Sequence, residues 1–217
     1  MHLRAGLGRD PGRRLTSSTP VGTALVLASG SPRRRQLLRS IGLDFGVRAA
    51  DVDETERAGE SPTAYVQRVA LAKALAVVEL IGLGVVERAA VLAADTTVDV
   101  DGAVLAKPVD DDDARRMLRL LSGRTHQVHT AVVGRHATGT HAITATTDVT
   151  FVGLSEQTID WYLSMGEHLD KAGAYAMQTA GGALVERIDG SPTNVIGLPL
   201  TETIGVLRAC GVVVAGH

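Results

Sequence analysis

A chain of 217 residues, 45% hydrophobic and 21% charged, carries enough apolar material for one substantial domain or two small lobes around a real core. Its formal net charge of −2 leaves no overall basic footprint, and aromatic residues at 3% are too few for a base-stacking platform, so a nucleic-acid module is disfavoured. The single cysteine, Cys210, excludes an internal disulfide and reads as a buried thiol of a reducing compartment; no apolar run approaches a membrane span, so the cytoplasm is expected and a membrane partner is not.

Residues 1–22 scatter Arg4, Arg9, Arg13 and Arg14 among Gly, Ser, Thr and Pro and are expected to form a disordered basic extension. A single domain is expected over 23–210, with a tail over 211–217. The domain opens on Leu25 to Leu38, LVLASGSPRRRQLL, where a short apolar strand stops at Ser29-Gly30-Ser31 and a helix begins. Ser31 is a good N-cap, and Pro32 suits the first helical position because its missing N–H needs no partner there. Arg33, Arg34 and Arg35 then crowd the positive end of the helix dipole, which is unfavourable unless an anion is expected. Backbone donors, serine hydroxyls and guanidinium forks together would hold a phosphate.

Phe45 to Ala50 reads as a second strand, followed by an acidic loop, Asp51-Val52-Asp53-Glu54-Thr55-Glu56. Ser61-Pro62 repeats the cap-then-proline signal and starts a helix to about Leu80, with Val66, Val69, Ala70, Val77 and Leu80 in its apolar stripe. Lys73 falls inside that stripe, either snorkelling to solvent or aimed into a cleft at an anion. Val91 to Ala94 is a buried strand that runs into Asp95-Thr96-Thr97, and a carboxylate at the end of such a strand is where open α/β sheets place ligands. Asp101-Gly102 turns a hairpin whose return strand ends at Lys107-Pro108. The acids from Asp110 to Asp113 read as the start of a helix rather than a metal site, with Ala114, Met117, Leu118 and Leu121 facing inward.

Val128 to Val133 and Ile143 to Val152 form a long strand pair, and strand alternation puts His126 and His129 on opposite faces, against a shared metal. Ser155 caps a further helix, Ala172 to Ala183 is a Gly/Ala loop, Ala183 to Ile188 a last strand, and Pro199 to Ala209 a last helix. Mixed strands, hairpins and helices imply a mixed α/β sheet. Ser29, Arg33, Arg34, Glu54, Lys73, Asp95 and Lys107 each stand at the edge of an apolar element. A cationic set with two carboxylates suits a polyphosphate and a divalent cation, bound through oxygen by Glu54 and Asp95. No Walker A, GxSxG or HExxH pattern is present, and no histidine has a local signature as a base for Ser29.

The segments LASGSPRRRQLL, VDET, RVALAKA, AADTTV, AKP, LSGRTHQVHTAV, DKAGAYAMQ and GSPTNVIGLPL, in that order between residues 24 and 208, resemble the Maf family of nucleoside triphosphate pyrophosphatases. The resemblance implies an elongated mixed sheet with flanking helices and two lobes around a cleft, related to the inosine-triphosphate pyrophosphatases. It also implies hydrolysis of a nucleoside triphosphate to monophosphate and pyrophosphate with Mg or Mn. Carried over residue by residue, Asp95 matches the proton acceptor and Glu54 the loop acid. Ser29, Arg34, Lys73 and Lys107 match phosphate-binding positions. Arg33, Thr96 and Gln178 match the specificity positions in the combination of the dTTP/UTP subgroup. Ala106, Ala176 and Thr179 replace glycines common in the family. A homodimer is compatible with the family. A 7-methyl-GTP-type activity, a non-catalytic regulator of septum formation, and the choice between base and metal ligand for Asp95 remain open at this level.

Overall fold

The computed structural model describes residues 23–216, and the expectation of a disordered basic extension over 1–22 lies outside them. The strands are β1 (Ala24–Leu27), β2 (Gly46–Val47), β3 (Ala89–Val100), β4 (Ala103–Leu105), β5 (Thr125–His136), β6 (Gly139–Phe151) and β7 (Val185–Asp189). They form one mixed sheet in the order β2-β1-β3-β5-β6-β7, with β4 also on β3. β1 runs parallel to β2 and β3, whereas β3, β5, β6 and β7 are an antiparallel meander. The helices are α1 (Pro32–Ser40), α2 (Pro62–Ile81), α3 (Leu83–Val86), α4 (Asp111–Leu121), α5 (Glu156–Ser164), α6 (Pro192–Ile196) and α7 (Leu200–Ala209). The expected mixed α/β sheet with flanking helices is present.

Three helices start on the same device. Ser31, Ser61 and Ser191 each precede a proline, and each side chain accepts the backbone N–H three residues on, from Arg34, Ala64 and Asn194. The third copy opens α6, a helix too short to carry the apolar stripe by which the others are expected. Two strands also differ from expectation. Phe45–Ala50 pairs only at Gly46–Val47, and the return strand of the hairpin stops at Leu105, leaving Ala106 and Lys107 as loop.

Strand alternation divides the core. On one face of β3, Val91 and Ala93 pack with Ala131 and Val133 of β5 under the α2 stripe of Val66, Val69, Ala70, Ala74 and Val77. On the other face, Ala90, Leu92 and Ala94 pack under Leu38 of α1 and Ile204 and Leu207 of α7. Farther along that second face, Val98 and Val100 pack with Met117, Leu118 and Leu121 of α4 and Ile159 and Tyr162 of α5. Each fully buried Val or Leu contributes about 1.5–3 kcal/mol. The first two clusters sandwich one end of the sheet and the third covers the other, giving two lobes joined by strands that run through both. The expected tail 211–217 is in part body: Val212 and Val214 are buried in the α7 core, and Gly211 accepts a backbone hydrogen bond from Thr23. Among the described residues no helix is long and apolar enough to cross a membrane.

The seat of α7 depends on a missing side chain. A Cβ on Gly134 of β5 would lie 2.6 Å from Val206 Cγ1 and 2.7 Å from Cys210 Sγ, both on or just after α7. Gly134→Ala is therefore expected to push α7 off the sheet and cost about 1–3 kcal/mol. Urea denaturation reads this as a lower midpoint at unchanged slope; a wild-type midpoint would contradict the close packing described.

Candidate active site

The site exists because β3 changes partner along one edge. β1 pairs with β3 up to Leu92, and β4 joins the same edge only at Val98. Between them the edge of Ala93–Thr97 carries no strand among the described residues, while the opposite edge stays paired to β5 throughout. Asp95 therefore lies in the middle of β3, not at a strand end as expected: the apolar run stops there, but pairing with β5 carries the strand on to Val100. A cleft of about 720 Å³ opens at this gap. Ser29, Arg33, Arg34, Glu54, Lys73, Asp95, Thr96, Lys107 and Gln178, every residue proposed from sequence, line it.

Asp95 and Thr96 are consecutive, so their side chains leave the strand on opposite faces. On the α2 face, Lys73 holds two carboxylates at once, with Nζ 2.7 Å from Asp95 Oδ1 and 2.8 Å from Glu54 Oε1. The lysine inside the apolar stripe of α2 is thus aimed into the cleft. The Asp95 side chain is 9% exposed and that of Glu54 44%, so the pair has an inner and an outer acid. Burial pulls the Glu54 carboxyl up, but the Lys73 hydrogen bond and the charges of Lys73, Lys107 and Arg34 outweigh it and leave the group below its ordinary value.

On the other face Arg34 is the centre of a polar belt between the two lobes. Its guanidinium is buried and donates Nε to Gly197 O at 2.8 Å, Nη1 to Ser29 Oγ at 3.2 Å and Nη2 to Thr96 Oγ1 at 3.0 Å. Thr130 donates its one hydroxyl proton to Asn194 O at 3.1 Å, so the Thr96–Thr130 contact of 2.9 Å must run from Thr96 to Thr130. The relay Arg34–Thr96–Thr130–Asn194 is then fully directed. Gly197, at φ 119°, is where only glycine fits easily: a Cβ there would sit 3.4 Å from Thr96 Oγ1 in a backbone conformation that side chains avoid. Arg34 is less a free phosphate clamp than expected, since three of its five N–H groups are already used.

Arg33 is half-buried, and burial lowers its pKa while the Asp170 carboxylate opposes the fall. Lys107 and Gln178 are exposed on the cleft rim. Sequence reasoning missed Tyr65, Asp170 and Lys171, which also line the cleft. The Tyr65 hydroxyl donates to Glu54 O at 3.0 Å and fixes the acidic loop to α2. Its position at i−8 from Lys73, on the same helical face, was the available signal. The excluded sites stay apart: His126 Nε2 is 2.9 Å from the Tyr175 hydroxyl, while His129 contacts Thr146 and Asp99. The acids of α4 cap that helix, with Asp110 accepting from Asp113 N at 2.8 Å.

A cleft with five cationic side chains, two of its carboxylates bridged by a lysine, and an open strand edge is the site of a protein that binds a phosphorylated ligand. The chain belongs to the Maf family, whose profile, described as Maf-like protein, matches residues 24–210. It is similar to the dTTP/UTP pyrophosphatase of Anaeromyxobacter dehalogenans strain 2CP-1, with 53% identity over 86% of this chain and 94% of that one. Identity is 50% to the protein of that name from Myxococcus xanthus, over 87% of this chain and 93% of that one. For the one from Hahella chejuensis it is 46%, over 94% and 96%. A solved structure, the Ham1 protein of Staphylococcus aureus, aligns with TM-score 0.43 and 16% identity over 59% of this chain and 71% of that one, too loosely to carry an argument.

Removing the cation between the two acids tests the geometry. Lys73→Met is expected to cost about 1–3 kcal/mol at neutral pH, less than for a fully buried pair because Glu54 is partly solvated. Glu54 has a depressed folded pKa, so its stabilisation is present above the ordinary value of 4.5 and is lost as the pH falls through its folded value. The stability gap between wild type and Lys73→Met should therefore be widest at neutral pH and narrow below 4.5. A gap independent of pH would contradict the bridge.

Proposed function

We propose that this chain is a nucleoside triphosphate pyrophosphatase acting on dTTP and UTP, releasing the monophosphate and pyrophosphate in a cytoplasmic nucleotide pool. The observation that carries the reading is the lysine-bridged carboxylate pair at the open edge of β3, inside a cleft rich in cations. The names of the similar proteins, dTTP/UTP pyrophosphatase, supply the nucleotide class.

In this reading the water oxygen bonds to the α-phosphorus, the bond from that phosphorus to the bridging oxygen breaks, and the oxygen leaves with the pyrophosphate. Asp95 takes the proton of the water, and with Glu54 it would be the group to hold a divalent cation. Its side chain is shielded, and Oδ1 is fixed by Lys73, so the carboxylate needs no reorganisation to face the cleft. Lys107 and Ser29 orient the phosphates, while Lys73 holds Glu54 and Asp95 in place beside them. Arg33, Thr96 and Gln178 address the base, with Thr96 already oriented by Arg34 and Thr130.

The residues fit a divalent cation in one respect. Oxygens of Glu54 and Asp95 reach a single ammonium at 2.8 and 2.7 Å, so both could face one ion. Two carboxylates are fewer ligands than Mg takes, so water and phosphate oxygens would complete its shell. When bound, such an ion would neutralise phosphate charge and lower the pKa of a bound water.

Pyrophosphate release from dTTP and UTP with Mg is the assay. Asp95→Asn, which keeps the size of the side chain, should lower kcat at least about 100-fold with the fold retained by circular dichroism. Retention of the full rate would overturn the assignment of Asp95, and no release by wild type at any metal concentration would overturn the activity.

A further inference from the structure

The cations of the cleft fall into two groups. Lys73 is committed to Glu54 and Asp95, and Arg34 to Gly197, Ser29 and Thr96. Arg33, Lys107 and Lys171 line the same cleft, and among the described residues no carboxylate lies within salt-bridge distance of any of them.

Lys171 is brought there by a particular turn. Asp170 precedes it at φ 58°, and Lys171 Nζ donates to Leu169 O at 2.9 Å. Two residues on, Gly173 at φ 68° lies so close to β3 that a Cβ would be 2.8 Å from Val98 Cγ2. Gly173 N also donates to Ala106 O at 3.2 Å, which ties the Lys171 turn to the residue before Lys107. The two lysines are therefore positioned by one backbone contact. Burial lowers the Lys171 pKa, and the charges of Arg33 and Lys107 reach it and lower it further, against the carboxylates of Asp170 and Glu167. A partly buried lysine that feels two other cations is costly, and an anion of high charge relieves that cost.

We propose that Lys171 is a further substrate-binding residue, forming with Lys107 and Arg33 the subsite for the β- and γ-phosphates and for the departing pyrophosphate. This rests on the hydrolase reading above and adds the place of the leaving group. The cleft then has two electrostatic ends: Glu54–Lys73–Asp95, balanced for metal and water, and Arg33–Lys107–Lys171, unbalanced for the leaving anion. Negative charge gathers on the bridging oxygen as its bond to the α-phosphorus breaks, and cations at that end stabilise it. Arg33 then serves the phosphates as well as the choice of base.

The test is calorimetric titration of the full chain with inorganic pyrophosphate, and separately with dTMP, with and without Mg. Lys171→Met should weaken pyrophosphate binding about tenfold and leave dTMP binding unchanged, and Lys171→Arg should restore most of the affinity. In steady state, KM for dTTP and UTP should rise by the same factor. Pyrophosphate affinity equal to wild type would overturn the proposal, as would a loss confined to dTMP, which would place Lys171 on the nucleoside. If Lys171→Met fails to fold, Lys171→Gln carries the same comparison, with thermal unfolding as the control. Binding needs no turnover, so wild type that binds pyrophosphate through Lys171 yet hydrolyses neither nucleotide would refute the hydrolase reading and leave the subsite standing.

Discussion

A strand with one edge unpaired for five residues is the constraint on which the rest of this structure depends. In the middle of a sheet such an edge leaves backbone N–H and C=O groups to be satisfied by water or a ligand. Here β1 gives up β3 at Leu92 because the chain must turn at Ser29-Gly30-Ser31 into α1, and β4 takes over only at Val98. The gap does more than open a hole. It lets one ligand touch both faces of β3, so that Asp95 on the α2 face and Thr96 on the other, adjacent in sequence, serve the same cleft. A sheet paired along both edges would have hidden one from the other.

The charges around the gap follow from burial. Arg34 is buried with no carboxylate of the described residues on its guanidinium, and its charge is tolerated through neutral acceptors and the field of Asp95 and Glu54. Lys73 is bonded to the same two acids. Two cations and two anions therefore balance at the centre of the site. This balance lets the lobes meet on polar groups rather than on a continuous core, with Thr96, Thr130 and Asn194 filling the belt between them. Any surplus of positive charge must come from the rim, where side chains reach solvent and their desolvation is partial.

The elements legible in the sequence were those whose signal is local. Ser31-Pro32 and Ser61-Pro62 placed two helix starts, and the stripe of Ala114, Met117, Leu118 and Leu121 placed α4, with all four side chains buried. The same Ser-Pro pair at 191–192 starts α6, but that helix is only five residues long and has no periodic stripe to support the cap. Asp95 was expected at a strand end because the apolar run stops there. What carries β3 onward is the register with β5, a non-local pairing that no window of sequence reports. Glu54, Lys73 and Asp95 were each singled out, but that one ammonium joins them depends on α2 lying across β3. Lys171 was hidden for a related reason: its partner in position is Ala106, 65 residues earlier, through a backbone contact that only a glycine at 173 permits.

The division between strand-borne and loop-borne groups bears on how such a site can vary. Asp95 and Thr96 sit on β3 and Lys73 on α2, held by packing on both lobes. Gln178 sits on a segment between two short 3-10 helices, Ala172–Ala174 and Ala180–Leu184. That segment folds back on itself so tightly that a Cβ at Gly181 would be 2.6 Å from Ala176 O and one at Gly182 2.7 Å from Met177 O. Thr179 donates to Glu167 at 2.6 Å and anchors the turn from outside the cleft. Substitutions here can move Gln178 without disturbing the lysine-bridged acids, because no hydrogen bond joins the two sets among the described residues. Under the proposed assignment, the share of base preference that Gln178 carries can drift on the loop while Asp95 and Thr96 stay fixed on β3.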